Sequence, residues 1–526
     1  MPQLTGTQMG TGQSDLFVGD VNLSDLTEST TESGILNANI NALGGDDRVE
    51  GTSTLILSEI AESSSDIELT SYGIQQASID GGVGNDTVVG TGSVVGQGSS
   101  AQATSYGFFG GFVARRGGDD RLIFEGNSSA ANTLESVGVS AAAVIGDEGN
   151  DEISLTGSAD EGNNVEAIGA ENSAAIGGGG QDTINILATA TGEVGPFGVA
   201  ASRATATGAS SSFISADGAD DTVTISASAG SASNANSTAI SGSQLLGRTG
   251  DDTIRLSANA SASSRNSATG TAIGIATNST VRGGEGSDII ESVATASGAS
   301  RFGGTANAYG AQDSTVLGGA GEDEILLSAS NRALEGEAYG AFNTIIRSGE
   351  GNDTLSFVAD TSETGPSNGF GLFQSTANGG SGDDLIQVSA ITNSSIQRGA
   401  GAFESKIRGG AGDDRIEASG GTGDTFDIED TIIDGGEGDD TFDVGIGSGT
   451  IRGGTGNDTA ILDYLNSQTV TLSLIEDGIR ISGTQTNVGR PVDWNQDITG
   501  VEQFQLEGAS FSAETLFNQF APPQAV

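Results

Sequence analysis

Fourteen times in this chain an Asp closes a Gly-rich hexapeptide, and this recurring carboxylate is the feature that could do chemistry. The Asp residues are Asp47, Asp86, Asp120, Asp151, Asp182, Asp221, Asp252, Asp288, Asp323, Asp353, Asp384, Asp414, Asp440 and Asp458. Eight copies read GGxGxD in full. They place Gly81, Gly82 and Gly84 before Asp86; Gly177, Gly178 and Gly180 before Asp182; Gly283, Gly284 and Gly286 before Asp288; and Gly318, Gly319 and Gly321 before Asp323. They likewise place Gly379, Gly380 and Gly382 before Asp384; Gly409, Gly410 and Gly412 before Asp414; Gly435, Gly436 and Gly438 before Asp440; and Gly453, Gly454 and Gly456 before Asp458. Turns repeated at a coil-length period stack, and stacking brings each Asp over the last. A file of carboxylates holds together only with cations in it, so the chemistry expected is multivalent-cation binding.

The elements that must carry these turns are legible around them. Successive Asp residues lie 39, 34, 31, 31, 39, 31, 36, 35, 30, 31, 30, 26 and 18 residues apart. Insertions are thus tolerated in the coil and hardly at all in the turn. Two residues after each Asp stands an apolar residue, from Val49 to Ala460, and seven before it stands another, from Ile40 to Ile451. Each flank continues with period two, as in DTIRLSANA, which is strand patterning. Gly recurs 13 residues before the Asp, often after an aromatic, as in Tyr72-Gly73, Tyr106-Gly107 and Tyr339-Gly340, and is read as a distal bend.

The pattern predicts an all-β fold, a flattened parallel β-solenoid of about 13–14 coils with ~31 residues per coil. At a strand spacing of ~4.8 Å it would be roughly 65 Å long. The expected organisation is an N-terminal lead or cap over 1–33, the solenoid over 34–459, and a β-rich C-terminal cap over 460–526. Strands away from the turn are rich in Ala and Ser, as in SASAGSASNANS, so the core is thin. A further half-site is suggested at Gly420-Gly421-Thr422-Gly423-Asp424.

Composition narrows the function. Net charge is −51, which disfavours nucleic acid and anionic membranes as partners and favours cations. With no Cys and no His, thiolate sites, zinc–imidazole sites and His-dependent catalysis are excluded. No run of about 18 apolar residues argues for membrane insertion, and the N-terminal MPQLTGTQMGTGQSDLF has neither a basic nor an apolar signal region. The Thr that follows the Asp in seven copies is read as cross-strand pairing and not as a crystal-binding ladder.

These turns resemble the haemolysin-type calcium-binding repeat of the repeats-in-toxin family, whose nonapeptide is GGxGxDxUx with U apolar. The resemblance spans roughly residues 40 to 460, with the turns ending at Asp47, Asp120 and Asp221 the most degenerate, the second through Arg115 and Arg116. It implies a right-handed roll, and Ca²⁺ between stacked turns, about one per gap between coils. The fourteen Asp carboxylates and the Gly backbone carbonyls of the turns would be its ligands. Ca²⁺ takes about 6–8 oxygen ligands, which this donor set can supply. One departure is plain: the family places a turn every nine residues, whereas here one turn occurs per coil.

The resemblance further implies a secreted bacterial protein that leaves by type I secretion without a cleaved N-terminal signal, extracellular or at the cell surface. The function expected is non-catalytic, structural or adhesive, with cell-surface glycan or a second copy as partner. The alternative is a β-helix enzyme acting on polysaccharide, an epimerase or lyase with calcium-stabilised coils.

Overall fold

Segments that alternate inward and outward side chains can only be satisfied as strands with one face buried, and parallel stacking supplies the partner each edge needs. The structure, a computed structural model, describes residues 3–26, 28–57, 67–96, 101–114, 116–129, 132–192, 202–231, 233–264, 268–300, 304–362, 367–392, 399–421, 426–467, 470–487 and 490–520. The half-site around Gly420 to Asp424 falls largely outside them, as does Arg115. The fold is an all-β parallel β-solenoid. The chain divides into two compact units, 1–283 with 296–305, and 284–295 with 306–526.

In the first unit the apolar residues two beyond each Asp pair coil to coil without slippage: Val49 with Val88, Val88 with Leu122, Leu122 with Ile153, Ile153 with Ile184, Ile184 with Val223 and Val223 with Ile254. In the second unit Ile325, Leu355, Ile386, Ile416, Phe442 and Ala460 form the equivalent stack. All of these side chains are buried. Deeper in the first unit the inward positions are filled by Ala188, Ala190, Ala227, Ala229, Ala258 and Ala260, so the opposed strands lie close together.

Most coils have three strands, not the two long ones expected, while some, among them those ending at Asp120, Asp151 and Asp440, have two, as in Arg121–Ser129 and Thr133–Glu148. The coil that ends at Asp182 consists of Glu152–Gly162, Asn164–Glu171 and Ala174–Gly179. The corner between the last two is Asn172, at φ 47°, followed by Ser173. The same corner recurs in the second unit at Asn343, Gln374, Glu404 and Asp430, with φ between 45° and 50°. Each corner is followed by a buried hydroxyl. Thr344 N–H donates to Ser375 Oγ at 3.0 Å and Ser375 N–H to Ser405 Oγ at 3.1 Å. Each of those hydroxyls turns back to a carbonyl two residues earlier, Phe373 and Phe403, at 2.9 and 2.7 Å. The corner's peptide groups are thereby satisfied away from water.

The Gly 13 residues before the Asp does not end a strand: the chain kinks within one, the ladder skipping Gly73 and Gly107 while Ile74 turns inward directly after Gly73. This Gly sits mid-strand where the opposite wall comes closest. A β-carbon on Gly340 would lie 2.5 Å from the Gly371 carbonyl and 2.9 Å from the Val358 amide. The aromatic ring beside it stacks on the next coil's: Tyr309 on Tyr339 at 5.2 Å and Tyr339 on Phe370 at 5.6 Å between centroids. The coil ending at Asp288 lengthens its corner, between Ala268–Ile275 and Thr280–Glu285, but most differences in coil length fall at the end of the post-turn strand. One such strand ends at Gly162 with the next beginning at Asn164, whereas Thr183–Gly192 is followed by Arg203–Ser210.

At the N-terminal end the coil pattern begins earlier than expected. Leu4–Met9 pairs in parallel with Thr30–Asn41, and Leu16–Leu26 with Arg48–Leu57. At the other end Val470–Ile475, Gly478–Asn487 and Arg490–Thr499 form an antiparallel sheet. It joins the solenoid where Arg490–Thr499 pairs in parallel with Gly447–Thr455. A short helix, Ala513–Phe520, follows.

The substitution Gly340→Val is expected to destabilise the fold by about 2–3 kcal/mol, as overpacking of a filled core does. A fall in the thermal unfolding midpoint with a native-like circular dichroism spectrum at low temperature would show it.

Candidate cation-binding column

Register in the two sheets dictates register in the turns between them, so each turn lies on the one before. In the first unit a continuous chain of hydrogen bonds follows. The backbone N–H of each column residue donates to Oδ1 of the Asp one coil later, from Asp15 through Asp47, Asp86, Asp120, Asp151, Asp182 and Asp221 to Asp252, at 2.6–2.9 Å. In the second unit the same chain runs from Asp288 through Asp323, Asp353, Asp384, Asp414 and Asp440 to Asp458, at 2.8–2.9 Å. It ends where Asp458 N–H donates to a carboxylate oxygen of Glu502 at 2.8 Å.

All fourteen Asp residues identified from the sequence thus take the same place in the coil, including Asp47, Asp120 and Asp221 in the most degenerate turns. Two members were not identified. Asp15 closes Gly10-Thr11-Gly12-Gln13-Ser14, which keeps the first Gly of the motif. Glu502 stands where the final coil would carry Asp, and Gly500 two residues earlier was its available signal. Arg116, in one degenerate turn, directs its charge to Asp80 at 2.8 Å.

A second ladder runs beside the first with opposite polarity. It uses the residue before each Asp. In the second unit Asp383 N–H donates to Asn352 Oδ1, Asp413 N–H to Asp383, Asp439 N–H to Asp413, and Asn457 N–H to Asp439, at 2.7–2.9 Å. In the first unit Asn85, Asp119, Asn150 and Gln181 donate in the same way to the preceding coil. These side chains are exposed, whereas the column Asp residues are buried. Acids that add charge next to the column therefore also clasp the coils.

The glycines of the turn do separate jobs. The second and fourth residues of GGxGxD adopt φ that side chains resist: Gly410 at 134° and Gly412 at 132°, for example. Each lies against the carbonyl of its counterpart one coil earlier, Gly380 and Gly382, where a β-carbon would collide. The first Gly is different. A β-carbon on Gly177, Gly318, Gly379, Gly409, Gly435 or Gly453 would overlap Oδ2 of the Asp five residues on. The missing side chain is the space the carboxylate occupies.

That oxygen is the chemical anomaly of the structure. Oδ2 of Asp182, Asp221, Asp323, Asp353, Asp384, Asp414, Asp440 and Asp458 is buried and without a hydrogen-bond partner. A buried acceptor left unmatched costs about 1–3 kcal/mol. Burial is also the main cause that pushes these carboxyls up: Asp182, Asp323, Asp384, Asp414 and Asp440 to about 7, and Asp221 to about 8. The N–H each accepts opposes the shift, and the carboxylate of an adjacent coil adds to it. Asp353 and Asp458 are raised for the same leading reason.

Among the described residues no three acidic side chains gather at one point. A cation in the column would instead meet the single file of Oδ2 atoms and draw further oxygens from the turn carbonyls that face the next coil. The residues present fit a hard cation on those terms. Compared with known proteins, the chain matches no family model and no curated protein. Among the described residues no helix is long and apolar enough to cross a membrane.

Two outcomes are expected. Gly409→Ala forces a β-carbon into the space of Asp414 Oδ2 and lowers stability by about 1–3 kcal/mol, read from thermal unfolding. Without metal, the raised carboxyls make the folded chain bind more protons than the unfolded one between about pH 4 and 8. Their stabilising contribution is complete below the ordinary Asp value and is lost as pH rises through 7 to 8. The unfolding midpoint in chelator should therefore fall from pH 5 to pH 8; a flat or rising profile contradicts the assignment.

Proposed function

We propose that this chain is an extracellular calcium-binding repeat protein, akin to the repeats-in-toxin family, that folds on the ion and serves a non-catalytic structural or adhesive role at a cell surface or in a matrix. The observation that carries this reading is the file of buried Oδ2 atoms without donors, in a chain of net charge −51. Two carboxylates one coil apart, ~4.8 Å, repel by about 1 kcal/mol in water and about 3–4 at an effective dielectric of ~20. Over many coils such terms compete with the whole margin of folding, which is about 5–15 kcal/mol. Ca²⁺ between coils would turn repulsion into attraction, held by Asp oxygens and by carbonyls of the turn glycines.

Protons are the competing counter-charge, and the raised carboxyls make them effective only below neutrality. At the pH and millimolar calcium of many extracellular fluids the ion has the advantage, and extracellular modules bind at ~10⁻⁴–10⁻³ M. At cytosolic calcium the chain would lack its counter-charge and remain largely unfolded, since binding free energy here is folding free energy.

Titrating Ca²⁺ into chelated protein at pH 7.5 should produce a cooperative gain of strand signal in circular dichroism, with proton release and several ions retained after dialysis. Full strand signal in chelator with no retained ion would end the proposal. Asp414→Asn gives a sharper test, because the amide keeps an oxygen to accept the Asp384 N–H but removes the charge. It should raise the unfolding midpoint in chelator and lower it in saturating calcium. A shift of the same sign in both conditions would contradict an ion at that coil.

A further inference from the structure

Basic residues are scarce in this protein, 19 against 70 acids. Many are tied down: Arg48 to Glu50, Arg116 to Asp80, Arg121 to Glu152, Arg248 to Asp217, Arg415 to Glu417 and Arg480 to Asp497. One group in the second unit departs from that rule. Register between the strands Ile345–Glu350, Thr376–Ser381, Lys406–Ala411, Phe426–Glu437 and Gly447–Thr455 places Arg347, Asn378, Arg408, Asp434 and Arg452 in one outward row, one residue per coil. Lys406 lies two residues before Arg408. Arg347, Lys406, Arg408 and Arg452 are exposed, and among the described residues none of their side chains makes an ion pair or a hydrogen bond. A cleft of about 80 Å³ opens along the Arg408 to Arg452 part of the row, lined by Lys406, Ile407, Arg408, Ile432, Asp434 and Arg452.

From this row we infer that the outer face of the second unit is a binding site for an extended uronic-acid polysaccharide lying along the solenoid axis. The row alternates: a cation on one coil, an Asn or Asp on the next, a cation again. Guanidinium groups thus recur every second coil, roughly 9.6 Å apart at ~4.8 Å per coil. An extended (1→4)-linked uronan advances by about one coil rise per sugar and turns alternate sugars over, so that carboxylates on one side recur at every second sugar. Carboxylates then meet Arg347, Arg408 and Arg452, whose planar forks suit them. The intervening coils present Asn378 and Asp434, which can bond the hydroxyls of the inverted sugars. Asp434 would oppose a partner with an anion at every coil. A nucleic-acid strand, with one charge per ~3.4 Å of axis, does not keep this step. The row takes the residue just before each turn motif, but its side chains face outward from the strands while the column Asp residues are buried, so the inference does not rest on the calcium reading.

The test uses the full chain in millimolar calcium and a fluorescent oligouronate too short to gel. Binding measured by polarisation should weaken several-fold between 50 and 200 mM NaCl. It should fall at least tenfold in the double variant Arg408→Ala, Arg452→Ala, with an unchanged circular dichroism spectrum that separates this result from any failure of calcium-dependent folding. Arg121→Ala, which removes a paired Arg in the other unit, should bind as the parent does. Equal binding of a neutral glucan of the same length, undiminished binding by the double variant, or preference for a sulfated oligosaccharide would overturn the proposal. So would a double variant that only converts an oligomer to a monomer in sedimentation while neither protein binds oligouronate; that result assigns the row to a second copy of the chain.

Discussion

Like charges stacked at the rise of a single coil are the constraint to which the rest of this structure answers. A parallel solenoid with an acid in every turn has no freedom to separate them, because strand pairing on both sides sets the spacing. The turn therefore handles each carboxylate oxygen differently. One oxygen takes an N–H from the coil before, which anchors the side chain. The other is directed into a space that exists only because the first residue of the turn has no β-carbon. The result is a dry, electronegative file in which a proton or a hard cation must supply the missing partner.

The walls show how the file is held straight. Each coil is drawn together where a mid-strand Gly lets opposed backbones meet, and fixed again at the corner where a residue at positive φ hands over to a buried hydroxyl. Corner residues such as Gln374 and Glu404 are not natural occupants of that conformation, which ordinarily costs about 1–2 kcal/mol. Hydrogen bonding between successive corners keeps them there. Length variation falls mostly in the connection after the post-turn strand, where it disturbs neither the corner nor the turn.

Much of this was legible in the sequence, and the reasons are specific. The turn was readable because Gly and Asp there answer to backbone and charge requirements that few residues meet. The inward positions two after and seven before the Asp were readable because burial demands an apolar residue at every coil. The corner was not, since Asn172, Asn343, Gln374, Glu404 and Asp430 share a conformation and not a residue type. Its marker was instead the hydroxyl that follows, hidden in a chain already rich in Ser and Thr. The Gly before it was readable as a bend but its closeness to the opposed backbone was not, because a Gly demanded by close approach looks the same as one demanded by a bend. Asp15 and Glu502 escaped because the terminal coils depart from the motif, one in its glycines and the other in the acid itself.

The two ladders at the turn run in opposite directions, so a coil that takes part in both offers to and accepts from its neighbours on either side. The upper and lower surfaces of such coils are consequently interchangeable with one another. Gene duplication or loss of a whole repeat would re-form the same clasp at the new junction, and only the terminal acids would need to stay in place. Repeat number becomes a quantity that evolution can change in steps of one strand spacing without redesign of the turn.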